Sequence, residues 1–187
     1  MNDKIAVLLS GNGSNLKAIM NSGIKISFVA SNNPNARGLN IAKEAGIFTF
    51  SSTKLSILEE QVLKLTLKYN VSLIVLAGFM RLLSKSFLKS LPEKFIINIH
   101  PSILPAFKGL NAIEQAIESC VQYTGVTVHY VDEGMDTGSI IEQKRVKVYK
   151  NDTKKSLQTR LKATEHCLYP ETIKKILLKQ LKNKNNL

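Results

Sequence analysis

From Lys4 to His100 the chain alternates short apolar runs with amphipathic stretches. "KIAVLLS", "KISFVAS", "IFTF", "VSLIVLAGF" and "FIINIH" are each long enough for one strand. Between them lie "NLKAIMNS", "ARGLNIAKEAG", "KLSILEEQVLKLTLKY" and "SKSFLKSLP", whose apolar residues recur with helical spacing. Strands joined by helices need right-handed crossovers, which cover both faces of a mostly parallel sheet. After "NAIEQAIES" the pattern changes to two strand-like runs, "GVTVHYVD" and "SIIEQKRVKV", joined by the short "EGMDTG". The expected fold is therefore α/β: a Rossmann-like three-layer sandwich with a mostly parallel central sheet and a mixed or antiparallel edge. A basic helical region follows, which Pro170 is expected to kink or divide. No repeat, low-complexity linker or composition break interrupts the chain, so residues 1–187 read as a single domain.

Composition narrows the class of function. With 44% hydrophobic residues the chain can bury a full core. No apolar stretch is long enough to span a bilayer, and an amino terminus with Asp3 ahead of a short strand does not read as a secretory signal. A cytoplasmic protein with no membrane partner is expected. Cys120 and Cys167 form no C-x-x-C pair and fall in helix-like contexts, so they are expected to be reduced and structural, with no metal site. The net charge of +12 suits acidic partners. Many of its lysines, however, lie in "TKKSLQTRLK" and "TIKKILLKQLKNKNN", where helical spacing puts them on a solvated face. There are no interleaved aromatics, RNP-like motif or zinc knuckle, so no nucleic-acid partner is expected. The terminal "LKNKNNL" is expected to fray.

A sheet of this kind binds ligands at the carboxyl ends of its strands, where strand order reverses. Two loops there carry polar chemistry. "SGNGSN" follows the first strand and opens the first helix. Its glycines let the backbone approach an anion, and the free N–H groups of the helix start supply donors. Leu16 occupies the third glycine position of a dinucleotide fingerprint and no Gly-Lys-Ser/Thr ending is present, so a phosphate monoester fits better than NAD or ATP. In isolation the loop reads equally as a turn with Asn15 as helix cap. The second loop, "DEGMDTG", puts Asp136 at its tip; alone, it is a solvated acidic turn.

"NIHPSILP" bears on the choice. Side chains alternate along a strand, so Asn98 and His100 share one face while Ile97 and Ile99 share the other, and Pro101 helps end the strand at the sheet's carboxyl edge. A lone histidine here would be a packed one. Paired with a carboxylate from "DEGMDTG", it gains a role.

"GNGSN", "LAGFMRLLS", "NIHPSILPAFKG" and "VHYVDEGMDTG" occur in the order and spacing of the folate-dependent formyltransferase superfamily, which the chain resembles from Lys4 to about Pro170. "GNGSN" and "TEHCLYP" resemble the branch acting on 5-phosphoribosylglycinamide in purine synthesis, with 10-formyltetrahydrofolate as co-substrate and no metal. The resemblance implies that Asn98, His100 and Asp136 are catalytic. An amine attacks a formyl carbon, Asn98 and His100 stabilise the oxyanion, and Asp136 orients His100 and assists proton transfer. It places the substrate phosphate on Gly11, Asn12, Gly13, Ser14 and Asn15, and the ribose hydroxyls on Glu165. It places folate on Met80, Arg81, Leu82 and Leu83, with Ile96, Asn98, Val131, Asp132, Glu133, Gly134, Met135 and Asp136 completing an apolar slot. Thr127 and His129 are expected in support, and His166 as structural.

The match departs from its relatives in two places. The segment after "IFTF" is short, which leaves Lys54 near but offset from a basic folate contact, and Asn111 and Ile113 stand where some relatives have histidines. Methionyl-tRNA formyltransferase carries a further carboxyl-terminal domain for which 187 residues leave no room. Formyltetrahydrofolate hydrolase carries an amino-terminal regulatory one, and a sugar-nucleotide formyltransferase accounts less well for "GNGSN". A noncatalytic phosphate-binding module would not need Asn98, His100 and Asp136. A monomer or a homodimer fits equally.

Overall fold

The structure is a computed structural model and describes residues 4–185. Thirteen elements follow one another: β1 (Lys4–Leu9), α1 (Ser14–Asn21), β2 (Ile26–Ser31), α2 (Arg37–Glu44), β3 (Phe48–Ser51), α3 (Leu55–Tyr69), β4 (Val71–Leu76), α4 (Lys85–Lys89), β5 (Ile96–His100), α5 (Ala112–Glu118), β6 (Tyr123–Tyr130), β7 (Ile140–Lys147) and α6 (Lys154–Asn185). The seven strands form one sheet in the order β3-β2-β1-β4-β5-β6-β7. β1 to β5 pair in parallel, and β6 and β7 add antiparallel pairing at one edge, as the strand pattern predicts. From β1 the chain builds outward through β2 and β3, then returns to place β4 on β1's other side, so strand order reverses between β1 and β4.

Alternation along the strands sorts side chains into two cores. Ile5, Val7, Ile97, Ile99, Val126 and Val128 meet α1, α2 and α6 on one face. Ala6, Leu8, Ile74, Leu76 and Ile96 meet α3 and α4 on the other. Asn98, His100, Thr127 and His129 belong by the same alternation to the face of Ile96, near the sheet's antiparallel end.

α6 departs from expectation. It runs through Pro170 as one helix from Lys154 to Asn185, so the proline does not divide it, and the end of "LKNKNNL", expected to fray, lies outside the described residues. The missing N–H costs one backbone hydrogen bond, while Leu168, Tyr169, Ile173 and Leu177 are buried around it, and that packing keeps the helix on the sheet. Thr153 and Ser156 start the helix as a reciprocal cap, each backbone N–H donating to the other's hydroxyl. The buried carboxylate of Asp152 receives Arg160, Ser156 and the Tyr149 N–H. The Tyr169 hydroxyl donates to the carbonyls of Leu76 at 2.8 Å and Ile97 at 3.2 Å, tying α6 to the ends of β4 and β5. Tyr169→Phe would leave these buried carbonyls short of a donor. It is expected to cost about 1–3 kcal/mol and to lower Tm by roughly 3 °C per kcal/mol, read by calorimetry.

The cysteines are unpaired, as expected of reduced thiols, but depart from the structural role expected of them. Both are free and exposed, with Cys120 in a left-handed turn after α5, so neither is a core residue. Among the described residues no helix is long and apolar enough to cross a membrane, and no group of three or more His, Cys, Asp or Glu could hold a metal ion.

Candidate active site

At the reversal between β1 and β4, Ser10 ties three loops together. Its N–H donates to the Gly78 carbonyl, its hydroxyl donates to Asn32 and accepts the Met80 N–H, and its carbonyl accepts the Asn33 amide. The loop 77–84 after β4 is anchored at its far end by Glu59 of α3, whose two carboxylate oxygens accept the Ser84 N–H at 2.7 Å and hydroxyl at 2.6 Å. Between these anchors Met80 and Leu82 are held out, 64% and 59% exposed. These apolar side chains, left in water beside a cleft, make its mouth apolar.

That cleft has a volume of about 480 Å³. It is bordered by Met80, Arg81, Leu82 and Leu83 from the β4 loop, by Asn98 and His100 from β5, by His129 from β6, and by Val131, Asp132, Glu133, Gly134, Met135 and Asp136 from the loop that follows. The antiparallel register sets Asn98 directly across from His129, and His100 across from Thr127. Thr127 is fully buried and accepts the Leu104 N–H and the Gln143 amide while donating to the Ser102 carbonyl, so it holds the segment after β5 and does not face the cleft. Gly138 lets the returning loop lie against Tyr130, because a Cβ there would collide with the Tyr130 carbonyl.

The loop brings Asp136 back over β5 and β6 in a left-handed conformation, φ 53°. Its Oδ2 accepts the Gly109 N–H at 2.8 Å and lies 3.3 Å from His100 Nδ1, and its Oδ1 lies 3.5 Å from His129 Nε2. The carboxylate is 10% exposed. Burial alone would raise its pKa, but the close contact with His129, the Gly109 hydrogen bond and the two nearby imidazoles outweigh it, lowering the group to about 2. The sign is that of a depressed carboxylate, so its stabilisation is present above its unfolded pKa near 4 and is lost as pH falls towards 2. On the order of 2 kcal/mol of stability is expected to disappear across that window, and denaturant titration of Asp136→Asn should show a shallower acid loss than the unaltered protein.

His100 has both nitrogens engaged. Nε2 donates to the Phe107 carbonyl at 2.8 Å, and Nδ1 faces Asp136. A carbonyl only accepts and an ionised carboxylate only accepts, so the doubly protonated ring satisfies both partners at once.

At the other side of the reversal, Gly13 starts α1 with φ 75°, and a Cβ there would lie 2.6 Å from Gly38 Cα; this close approach seats α1 against α2. Gly13 is the cap residue, which excludes the alternative of Asn15 as helix cap. Asn15 is buried, its Nδ2 donates to Glu165 Oε2 at 2.6 Å, and its Oδ1 has no partner among the described residues. Gly11 and Asn12 lie exposed before it, with Ser14 half-buried at the first helical position.

Residues 3–173 match the sequence profile of the formyl transferase family. The chain belongs to that family. It is 40% identical over 185 residues to the phosphoribosylglycinamide formyltransferase of Bacillus subtilis, a match that covers 93% of this chain and 94% of that one. It is 41% identical over 189 residues to the human trifunctional purine biosynthetic protein adenosine-3, covering 91% of this chain but only 18% of that larger protein. Its fold matches the crystal structure of phosphoribosylglycinamide formyltransferase from Anaplasma phagocytophilum with a TM-score of 0.90 at 44% identity, over 96% of this chain and 89% of that one.

Within this formyl transferase, Ile96, expected in the folate slot, Lys54, expected at most in support, and Glu165, expected at the ribose, all lie off the cleft wall. Ile96 is 4% exposed and packs in the α3/α4 core beneath Asn98. Lys54 caps α3 after β3, four strand positions from β5 and so roughly 19 Å across the sheet. Glu165 is buried on α6 and reaches the Gly-rich loop through Asn15. His166 borders a separate cavity of about 550 Å³ between α1 and α6, where burial holds its imidazole below the usual range. Several residues escaped the sequence reading. Lys162 pairs with Glu165 Oε2 at 2.6 Å, bringing a cation next to Asn15, and its only sequence signal was the i,i+3 spacing. Glu114, Lys154 and Gln158 border the far end of the cleft, and nothing local in the sequence points to them.

Proposed function

We propose that this chain transfers the formyl group of 10-formyltetrahydrofolate to the primary amine of 5-phosphoribosylglycinamide, a step in purine synthesis, with residues 1–187 acting as one domain in the cytoplasm. The observation that carries the reading is the placement of Asn98, His100 and Asp136 together on one wall of a cleft whose mouth is apolar. The likeness to the Bacillus subtilis enzyme supports the choice of acceptor.

Direct transfer needs no covalent nucleophile. When the amine adds to the formyl carbon, negative charge develops on oxygen and a proton must pass from the attacking nitrogen to the departing folate nitrogen. Asn98 donates to the oxyanion, and the charged His100 ring, held by Asp136, supplies a positive field beside it. Release of Nε2 from the Phe107 carbonyl frees a second donor. A carboxylate as acidic as Asp136 holds a proton poorly; its part is to charge and aim the imidazole and to order the water through which the proton moves. The Gly11–Asn15 loop, at a helix start, receives the phosphate, and the Asn15–Glu165–Lys162 cluster receives the ribose side. Met80, Leu82, Val131 and Met135 bracket the pteridine, with Arg81 at the rim.

The experiment is formyl transfer from 10-formyltetrahydrofolate to glycinamide ribonucleotide, followed by folate absorbance, with and without the amine. Turnover that depends on the ribonucleotide is expected. Folate breakdown without it would indicate hydrolysis instead, and no turnover by a folded sample would overturn the proposal.

A further inference from the structure

His129 is 2% exposed and has three polar neighbours, which restrict where its protons sit. Its Nδ1 lies 2.8 Å from the carbonyl of Tyr130, which can only accept, so Nδ1 carries a hydrogen. In the neutral ring Nε2 is then a bare lone pair. It faces Asn98 Nδ2 at 3.3 Å, within hydrogen-bond geometry, and Asp136 Oδ1 at a longer 3.5 Å. A lone pair needs a donor opposite it, so the Asn98 group turned towards His129 is the NH2 and not the carbonyl. One N–H of that NH2 is spent on His129, and the second stays on the same end of the amide beside the cleft.

An asparagine amide can rotate by half a turn at little steric cost, exchanging donor for acceptor. Only the NH2 orientation stabilises an oxyanion; the reversed amide presents an oxygen to it and repels. The geometry points to His129, in its Nδ1–H form, as a positioning residue that selects the donor orientation of Asn98 for formyl transfer. This deepens the proposed function and rests on it. The Tyr130 carbonyl locks the tautomer, His129 locks the amide, and of these three only Asn98 touches the reacting oxygen. Protonation of Nε2 reverses the selection, since the new N–H turns to Asp136 Oδ1 and leaves the Asn98 NH2 without an acceptor. The titratable groups that face His129 are Asp136, from the loop after β6, and through it His100 of β5; across the ladder β7 presents Ile140.

Two substitutions separate this from packing. His129→Leu keeps bulk and removes the acceptor, whereas His129→Gln supplies an amide oxygen that accepts but does not titrate. Leu is expected to lower kcat on the order of 10²-fold, approaching loss of the donor itself, with KM for both substrates within about twofold. Gln is expected to restore kcat to within about tenfold of the unaltered protein. In the substrate-free protein, nitrogen-15 NMR is expected to show one Asn98 side-chain proton shifted downfield, lost in the Leu variant and kept in the Gln variant. The inference is overturned if Leu stays within about threefold of normal kcat or if Gln falls as far as Leu. Should the Leu variant not fold, an unshifted Asn98 amide in the unaltered protein, or a Gln variant as slow as Asn98→Ala, overturns it. The NMR signal needs no turnover, so failure of the formyl-transfer reading is distinguishable from failure of this one.

Discussion

Asp136→Asn is expected to lower kcat by roughly 10²–10⁴-fold, the range associated with losing a positioned acid–base partner. The substitution preserves shape and changes the role of every contact. Oδ2 accepts from Gly109 and faces His100 Nδ1, while Oδ1 faces His129 Nε2. A neutral amide no longer favours the charged form of His100. If its NH2 points at Nδ1, the ring must surrender that proton; if its oxygen does, the NH2 meets His129 and competes with Asn98 for the same lone pair. Either way the wall loses positive charge where the oxyanion forms. Because the lost charge matters most once the oxyanion forms, the fall should appear in kcat and kcat/KM together, with KM little changed. Steady-state kinetics on a variant shown to be folded by circular dichroism decides it, and a kcat within about tenfold of normal would sink the assignment of Asp136.

Asn98→Ala is expected to cost roughly 10²–10³-fold in kcat, equivalent to about 3–4 kcal/mol of transition-state stabilisation. Asn98 is half-buried in the middle of β5, and its side-chain hydrogen bond is with His129, so truncation removes little core packing. Thermal stability should therefore stay close to normal. The deficit belongs to the transition state, because the formyl oxygen carries full negative charge only in the tetrahedral intermediate. Near-normal turnover by soluble Asn98→Ala would mean that another donor serves the oxyanion.

The pairing of Asn98 with His100 was legible in "NIHP" because side-chain alternation is a local property of extended backbone. The glycines of "SGNGSN" were legible for the same reason: Gly13 needs a left-handed φ and has Gly38 against it. The partners of these residues were not. His129 stands opposite Asn98 only because β6 pairs with β5 in one register, and a shift of one residue would send it to the opposite face. Glu59 reaches Ser84 across 25 residues, Asn15 reaches Glu165 across 150, and Tyr169 reaches Leu76 across 93. No local pattern encodes hydrogen bonds at such separations. Pro170 was expected to kink or divide the helix because a proline removes a backbone donor; the buried side chains around it kept the helix undivided against that local cost.

By itself, then, the sequence determined the alternation of strands and helices, the parallel sheet with its antiparallel edge, the Gly-rich turn, and the shared face of Asn98 and His100. Each follows from steric rules acting over a few neighbouring residues. Only the tertiary structure decided that His100 has both nitrogens engaged, that Asp136 sits between two imidazoles, that His129 stands 3.3 Å from the Asn98 amide, that Ile96 lies beneath the wall and that Lys54 stands off the cleft. These depend on strand register and loop closure, which are settled by burying two cores against one sheet.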